Sequence, residues 1–165
     1  MKVGLVGYGR FGTLAARVLS RYLDVLIYDI RPAPGARVRH RRITRAPLER
    51  VAAQRIVILA VPISGLQECL RTIAGMVHPG ALVMDVCSVK SHPMRWMKRI
   101  LPEGAYYLGT HPLFGPDSVS RSLRGHRIVL CPGRIPGALL LKITRLLRRE
   151  GLEVYLMHPR SHDKM

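Results

Sequence analysis

The sequence predicts an α/β fold: a doubly wound, mostly parallel sheet with helices on both faces. Three observations predict it. Apolar runs of strand character alternate with segments of helical apolar spacing along almost the whole chain, the pattern of parallel strands joined by crossover helices. The first run leads into Val6-Gly7-Tyr8-Gly9-Arg10-Phe11-Gly12, the glycine spacing that opens a helix in Rossmann-type domains. Two later runs end in Asp85-Val86-Cys87-Ser88-Val89-Lys90 and in Gly109-Thr110-His111-Pro112-Leu113-Phe114-Gly115-Pro116-Asp117-Ser118. Each sets a polar group, Ser88 or His111, at a strand's C-terminal end, the edge where open α/β sheets bind ligands.

The elements follow in order. Residues 2–6 are the first strand, and residues 10–22 carry Phe11, Leu14, Ala15, Val18 and Leu19 at helical spacing. Residues 25–28 are the second strand; Pro32, Pro34 and Gly35 then break the chain into a basic loop. A short helix covers 48–53. The strongly apolar 55–61 reads as a buried strand. Ser64 is expected to N-cap a helix running to about residue 76, and Pro79-Gly80 to turn the chain. Residues 81–86 are a strand and 93–101 a helix stopped by Pro102. Trp96 with Met94 and Met97 reads as its core face. Residues 106–109 are a strand, 113–124 irregular and 127–130 another strand. Residues 135–149 form a helix closed by Gly151, and 152–157 the last strand.

Composition narrows the function. With 165 residues the chain has the size of one domain with a real core. No apolar run reaches the roughly 20 residues that span a bilayer. The first six residues are too short for a signal peptide before the glycine loop, so the expected location is cytoplasmic. Cys69, Cys87 and Cys131 are odd in number and widely spaced, which argues against a disulfide framework or a zinc site. The formal net charge of +17 is mostly arginine, densest at Arg37-Val38-Arg39-His40-Arg41-Arg42. Aromatics interleaved with basic residues would suit a nucleic-acid strand. This run has none, so the charge is read as attracting an anionic cofactor and substrate.

The glycine loop has the context that gives it meaning: a strand before, a helix after, and an acid at the tip of the next strand. Gly7 permits the tight turn, Gly9 lets a pyrophosphate approach the backbone, and Gly12 lets helix and strand pack closely. Tyr8 completes the loop, and the amides of Arg10 and Phe11 would face a phosphate at the positive end of the helix. Asp29, followed by Ile30 and Arg31, stands where a carboxylate accepts the adenosine ribose hydroxyls and repels a 2′-phosphate. This favours NAD, while Arg31 and the basic loop work toward NADP. Ala60-Val61-Pro62 ends the next apolar strand beneath the expected nicotinamide ribose.

Together these residues resemble the nucleotide-binding domain of the prephenate and arogenate dehydrogenase family, over nearly the whole chain. The Thr110-to-Ser118 wording is closer to the arogenate-type branch. The resemblance implies a dehydrogenase of tyrosine biosynthesis in which Ser88 and His111 are active-site groups. Hydride would leave C4 of the substrate for the nicotinamide while the 4-hydroxyl gives up its proton, followed by loss of carbon dioxide. His111 would accept that proton as a neutral imidazole. Ser88 would bond the same hydroxyl, or orient the imidazole or the nicotinamide. Lys90 and Thr110 are neighbours without an assigned role. The resemblance also implies that residues 1–157 are the dinucleotide-binding domain. Residues 158–165, with His162-Asp163, would begin the helix into a second, all-helical domain that forms the dimer and binds the substrate carboxylates. That domain is missing from this sequence, which reads as a fragment or a natural short form.

Other readings of the same residues are open. His158 and His162 have the helical spacing of a two-histidine metal site, but no third ligand is evident and Pro159 argues against a regular helix. Ser88, His111 and Asp117 could be arranged as a hydrolase triad, but Ser88 lacks the Gly-x-Ser-x-Gly elbow. A non-catalytic NAD-binding module, or half of a split enzyme needing a partner domain, is the alternative of another class. A β-hydroxyacid-type dehydrogenase sharing the glycine loop is a third, against which the Ser88/His111 pair counts.

Overall fold

Apolar strands joined by amphipathic helices assemble into one eight-stranded sheet in the computed structural model, which describes residues 1–31, 40–119 and 122–165. The strands are β1 (Lys2–Val6), β2 (Asp24–Tyr28), β3 (Ile43–Arg45), β4 (Ile56–Leu59), β5 (Leu82–Asp85), β6 (Tyr106–Pro112), β7 (Arg127–Pro132) and β8 (Glu153–Leu156). Their order in the sheet is β3-β2-β1-β4-β5-β6-β7-β8, with the order reversing beside β1. All neighbours are parallel except β6 and β7. No helix lies among the described residues between those two, and antiparallel pairing needs no crossover.

The helices are α1 (Arg10–Leu19), α2 (Leu48–Ala52), α3 (Ile63–Ile73), α4 (Ser91–Ile100), α5 (Gly137–Arg149) and α6 (Pro159–His162). Alternation along the strands feeds both faces. Val3, Leu5, Val25, Ile27 and Ile58 pack with Ala16 of α1. Val6, Val57, Leu59 and Val83 pack with Val51, Leu66, Leu70 and Met97 of α2, α3 and α4. Leu108, Ile128 and Leu130 meet Leu139, Leu140, Ile143 and Leu147 of α5. Met94 and Met97 are buried and Trp96 packs against the same core, as their helical spacing predicts.

Several boundaries differ from expectation, each for a local reason. Helix α1 stops at Leu19 rather than residue 22, because the Ser20 hydroxyl donates back to the Arg17 carbonyl at 2.9 Å and the chain turns. Ser64 does not cap α3; Pro62, with φ −55° and ψ 147°, is the N-cap, and Ser64 lies within the first turn. Helix α3 ends at Ile73 and passes into a 3₁₀ turn, Ala74–Met76. Strand β6 continues past Gly109 because Thr110, His111 and Pro112 pair with Leu130, Val129 and Ile128. Strand β3 was not foreseen, since three residues with one buried apolar side chain carry no readable period. Pro159 starts helix α6 instead of preventing one, since its missing N–H costs nothing at a first helical position. Helix α5 ends at Arg149 as predicted, and Gly151 just beyond its cap Glu150 closes it with a φ of +87° that suits glycine. Its amide and that of Leu152 return to the Arg148 and Leu147 carbonyls. Pro32, Pro34, Gly35, Arg37, Val38 and Arg39 of the expected basic loop lie outside the described residues.

Candidate active site

The glycine loop turns between β1 and α1. Gly7 holds φ at +95°, and a Cβ there would collide with the Ala60 carbonyl. A Cβ on Gly12 would collide with the Gly7 carbonyl, so both glycines serve the close packing of loop, helix and β4. Gly9 differs: a Cβ there meets nothing within 4 Å. Gly9 is also the N-cap of α1 and offers no side chain to its first amides, those of Arg10, Phe11 and Gly12. The loop therefore presents free donors across open space, a cradle for an anion. We expect Gly12→Ala to lower the melting temperature. Gly9→Ala should leave melting within about 1 °C, in line with a surface change, yet weaken dinucleotide binding measured by calorimetry.

The other cofactor residues gather around this loop. The Ala60 amide donates to the Val6 carbonyl at 2.7 Å, and Val61 Cγ1 comes within 3.2 Å of a Cβ at Gly7. Pro62 is exposed at the mouth. Asp29 accepts the Tyr8 amide at 2.6 Å and the Arg31 amide at 2.8 Å, so it ties the second strand's tip to the loop as well as facing its open edge. A cleft of about 270 Å³, lined by Ile27, Tyr28, Asp29, Arg45, Ala46 and Pro47, adjoins it. Arg45 stacks over the Tyr8 ring at 5.6 Å, and Ile30 is exposed. Sequence reasoning missed Arg45 because its strand β3 was not legible.

Arg10 contributes more than an amide. Its guanidinium grips both oxygens of Asp117, at 2.5 and 2.8 Å, and Phe11 meets Phe114 at 6.4 Å between ring centres. The segment after β6 is thereby pinned across the N-terminus of α1. Asp117 is engaged with Arg10, so no Ser88-His111-Asp117 triad is assembled.

His111 sits near the C-terminal end of β6. Its Nδ1 lies 2.8 Å from His162 Nε2, with the two rings edge-to-face. His162, almost fully buried in α6, reaches Asp163 Oδ1 through Nδ1 at 2.8 Å. Asp163 also accepts the Lys90 amide at 2.7 Å and the Ser91 amide at 2.8 Å, capping α4 from across the chain. This cap explains why α4 begins at Ser91, before Pro93. Ser88 is exposed in the β5–α4 loop, and the imidazole's partner is His162 rather than Ser88. His158 turns its Nδ1 to the Arg160 amide. Among the described residues no group of three or more His, Cys, Asp or Glu is arranged to hold a metal.

Beneath His111 lies a fully buried ion pair. Lys90 Nζ donates to Asp85 Oδ2 at 2.5 Å and to the Thr110 carbonyl at 2.6 Å, while the Thr110 hydroxyl donates to the Asp85 carbonyl at 2.6 Å. Burial raises the Asp85 pKa against the pull of the ammonium. Among the described residues Asp85 Oδ1 has no hydrogen-bond partner. Burial, His162 and Lys90 together lower the His111 pKa to about 4, opposed by Asp163. The imidazole is therefore neutral at pH 7. Burial pushes the thiols up, Cys69 and Cys131 to about 11 and Cys87 to about 12, so these cysteines are inert hydrophobes at neutral pH. No helix among the described residues is long and apolar enough to cross a membrane.

A doubly wound sheet with a glycine cradle at its first strand and a neutral histidine at the same edge defines a Rossmann-type nucleotide-binding domain carrying its own polar site. The chain belongs to the family of prephenate dehydrogenase nucleotide-binding domains, whose family model matches residues 16–156. It is 33% identical over 112 residues to the probable arogenate/prephenate dehydrogenase of Methanocaldococcus jannaschii, covering 67% of this chain and 25% of that protein. It is 28% identical over 176 residues to chloroplastic arogenate dehydrogenase 1 of Arabidopsis thaliana, covering 99% of this chain and 27% of that protein. The chain thus spans about a quarter of the length of these relatives. The crystal structure of prephenate dehydrogenase from A. aeolicus, in complex with hydroxyphenyl propionate and NAD+, has the same fold: TM-score 0.82 at 24% identity, over 99% of this chain and 62% of that one.

Proposed function

We propose that this chain is the cofactor-binding and proton-handling part of a dehydrogenase that oxidatively decarboxylates prephenate or arogenate with NAD. The observation that carries the reading is His111: neutral, hydrogen-bonded among the described residues through Nδ1 alone, and set at the sheet edge that also holds the glycine cradle. The open space at Gly9 and the uncapped start of α1 fit a dinucleotide pyrophosphate. The NAD+ and hydroxyphenyl propionate held by the A. aeolicus relative support the same reading.

Bound NAD supplies the hydride acceptor. His111 Nε2 takes the proton of the substrate's 4-hydroxyl as hydride leaves C4. The bond to the ring carboxylate then breaks, and its electron pair passes through the ring to the oxygen on C4 as carbon dioxide departs. That oxygen recovers the proton from His111, so the imidazole ends as it began. Ser88, free in the neighbouring loop, bonds the same hydroxyl or the nicotinamide. Residues 1–157 are the dinucleotide unit, and 158–165 begin the connection to a helical, dimer-forming domain of longer relatives. A cytoplasmic location suits three unpaired cysteines.

The test is formation of reduced nicotinamide by purified protein with NAD and prephenate or arogenate. Turnover with either substrate supports the reading. NAD binding without turnover points to the alternative, a cofactor-binding half that a partner domain must complete. Asp29→Ser is expected to shift preference toward NADP. It should also weaken both cofactors, because the Tyr8 amide loses its acceptor. Unchanged NAD-to-NADP affinity ratios would remove Asp29 from the ribose site.

A further inference from the structure

Nothing in the proposed reaction requires His162 or Asp163, yet they form a continuous chain behind the reacting imidazole. We propose that these two are positioning residues that fix the tautomer of His111, placing its proton on Nδ1 and a lone pair on Nε2 toward the substrate hydroxyl. The inference rests on the reading of His111 as the proton acceptor.

The argument runs along the hydrogen bonds. Asp163 accepts the Lys90 amide and His162 Nδ1 on Oδ1 and the Ser91 amide on Oδ2. Burial raises its pKa, but hydrogen bonds from Ser91, His162 and the two amides outweigh this and hold it well below the usual carboxylate range. An ionised carboxylate only accepts, so His162 Nδ1 must donate. Neutral His162 then has a bare Nε2, which must accept from His111 Nδ1–H at 2.8 Å. His111 Nε2 is left with a lone pair and no hydrogen bond to the described residues. A cationic His162 would reverse the chain and put the His111 proton on Nε2, where it could not act as a base. His162 is buried to 5% exposure, and the buried Lys90 ammonium, paired with Asp85, lies one residue from His111 at the Thr110 carbonyl. Across the ladder β7 sets Val129 opposite His111, with the neutral thiol of Cys131 two positions on. Asp163 is the anion that would stabilise the transient His111 imidazolium through His162.

The experiment reads the tautomer directly. Long-range ¹H–¹⁵N spectra of the chain at pH 7, with His111 assigned by its loss in His111→Gln, should show a protonated Nδ1 and an unprotonated Nε2. A proton on Nε2 overturns the proposal. In His162→Phe the acceptor is gone: His111 should move to the Nε2–H form. Its kcat should fall at least about tenfold, and by no more than the ~10²- to 10⁴-fold that a general base contributes. In His162→Gln the amide can accept from His111 and donate to Asp163, so the Nδ1–H form and most of the turnover should return. Equal losses in both variants would mean a packing role and overturn the proposal. The spectra need no turnover. A wild type with the expected tautomer but inactive on prephenate and arogenate would overturn the assigned reaction instead, and with it the catalytic purpose of the tautomer.

Discussion

His111→Gln is expected to lower kcat by about 10²- to 10⁴-fold, the contribution of a positioned general base, with NAD affinity nearly intact. The glycine cradle and Asp29 are built on β1, α1 and β2, none of which takes a hydrogen bond from the imidazole. If affinity collapses along with turnover, His111 is structural. The wild-type pH dependence offers a second reading of the same group. With its pKa lowered to about 4, His111 stays neutral well below the range of an ordinary imidazole. The acid limb of kcat/KM should lie near pH 4, with activity present above it and lost as pH falls through it. An acid limb near the unperturbed value of about 6.5 would contradict the observed environment. Stability follows the same sign. Between about pH 6.5 and 4 the unfolded chain binds a proton at this position that the folded chain excludes, so stability falls with pH across that window. Asp163 acts lower: its depressed folded pKa contributes stability above its ordinary unfolded value, lost as pH falls beneath that. Urea midpoints at a series of pH values should show the upper part of this loss disappear in His111→Gln.

Lys90→Met is expected to give the largest loss of stability. Both members of the Lys90–Asp85 pair are fully buried, and Asp85 already has one unpartnered oxygen. Removing the ammonium leaves a carboxyl in the core without a counter-charge, which typically costs about 3–5 kcal/mol. For a chain of this size that is a fall in Tm on the order of 10 °C. Adding Asp85→Asn should recover part of the loss, because a neutral amide still accepts the Cys87 amide now bound at 3.0 Å. Calorimetric melting of the single and double variants checks both statements; a single variant melting with the wild type would show that the pair does not anchor β5 to β6. Loss of the nearby positive charge should also move the acid limb of kcat/KM upward, since Lys90 helps hold the His111 pKa down.

These two residues were unequally legible. His111 stands out because a polar group ends an apolar run, and a parallel sheet sends such groups to the ligand edge. The sequence set Lys90 beside the pocket without a role; only the packing of β5, β6 and α4 shows that its ammonium is enclosed. The glycine loop was readable for a similar reason: tight turn and close packing both demand glycine at fixed spacing. The Gly9 cradle and the collision points at Gly7 and Gly12 then agree with that reading. The short strand β3 and its Arg45 were not readable, because their pairing with β2 is set by the sheet and not by a local period.

By itself the sequence determined the order of the strands other than β3 and of helices α1 to α5, the glycine loop with Asp29, and the placing of Ser88 and His111 at strand ends. All of these follow from local periodicity, turn chemistry and backbone sterics. Only the tertiary structure decided what surrounds His111. The His162–Asp163 chain, the cap on α4, the Lys90–Asp85 pair and the Arg10–Asp117 clasp join residues far apart in the chain. Such contacts depend on which elements the sheet makes neighbours and on how deeply burial strengthens a charge. Neither quantity is written in a local stretch of residues.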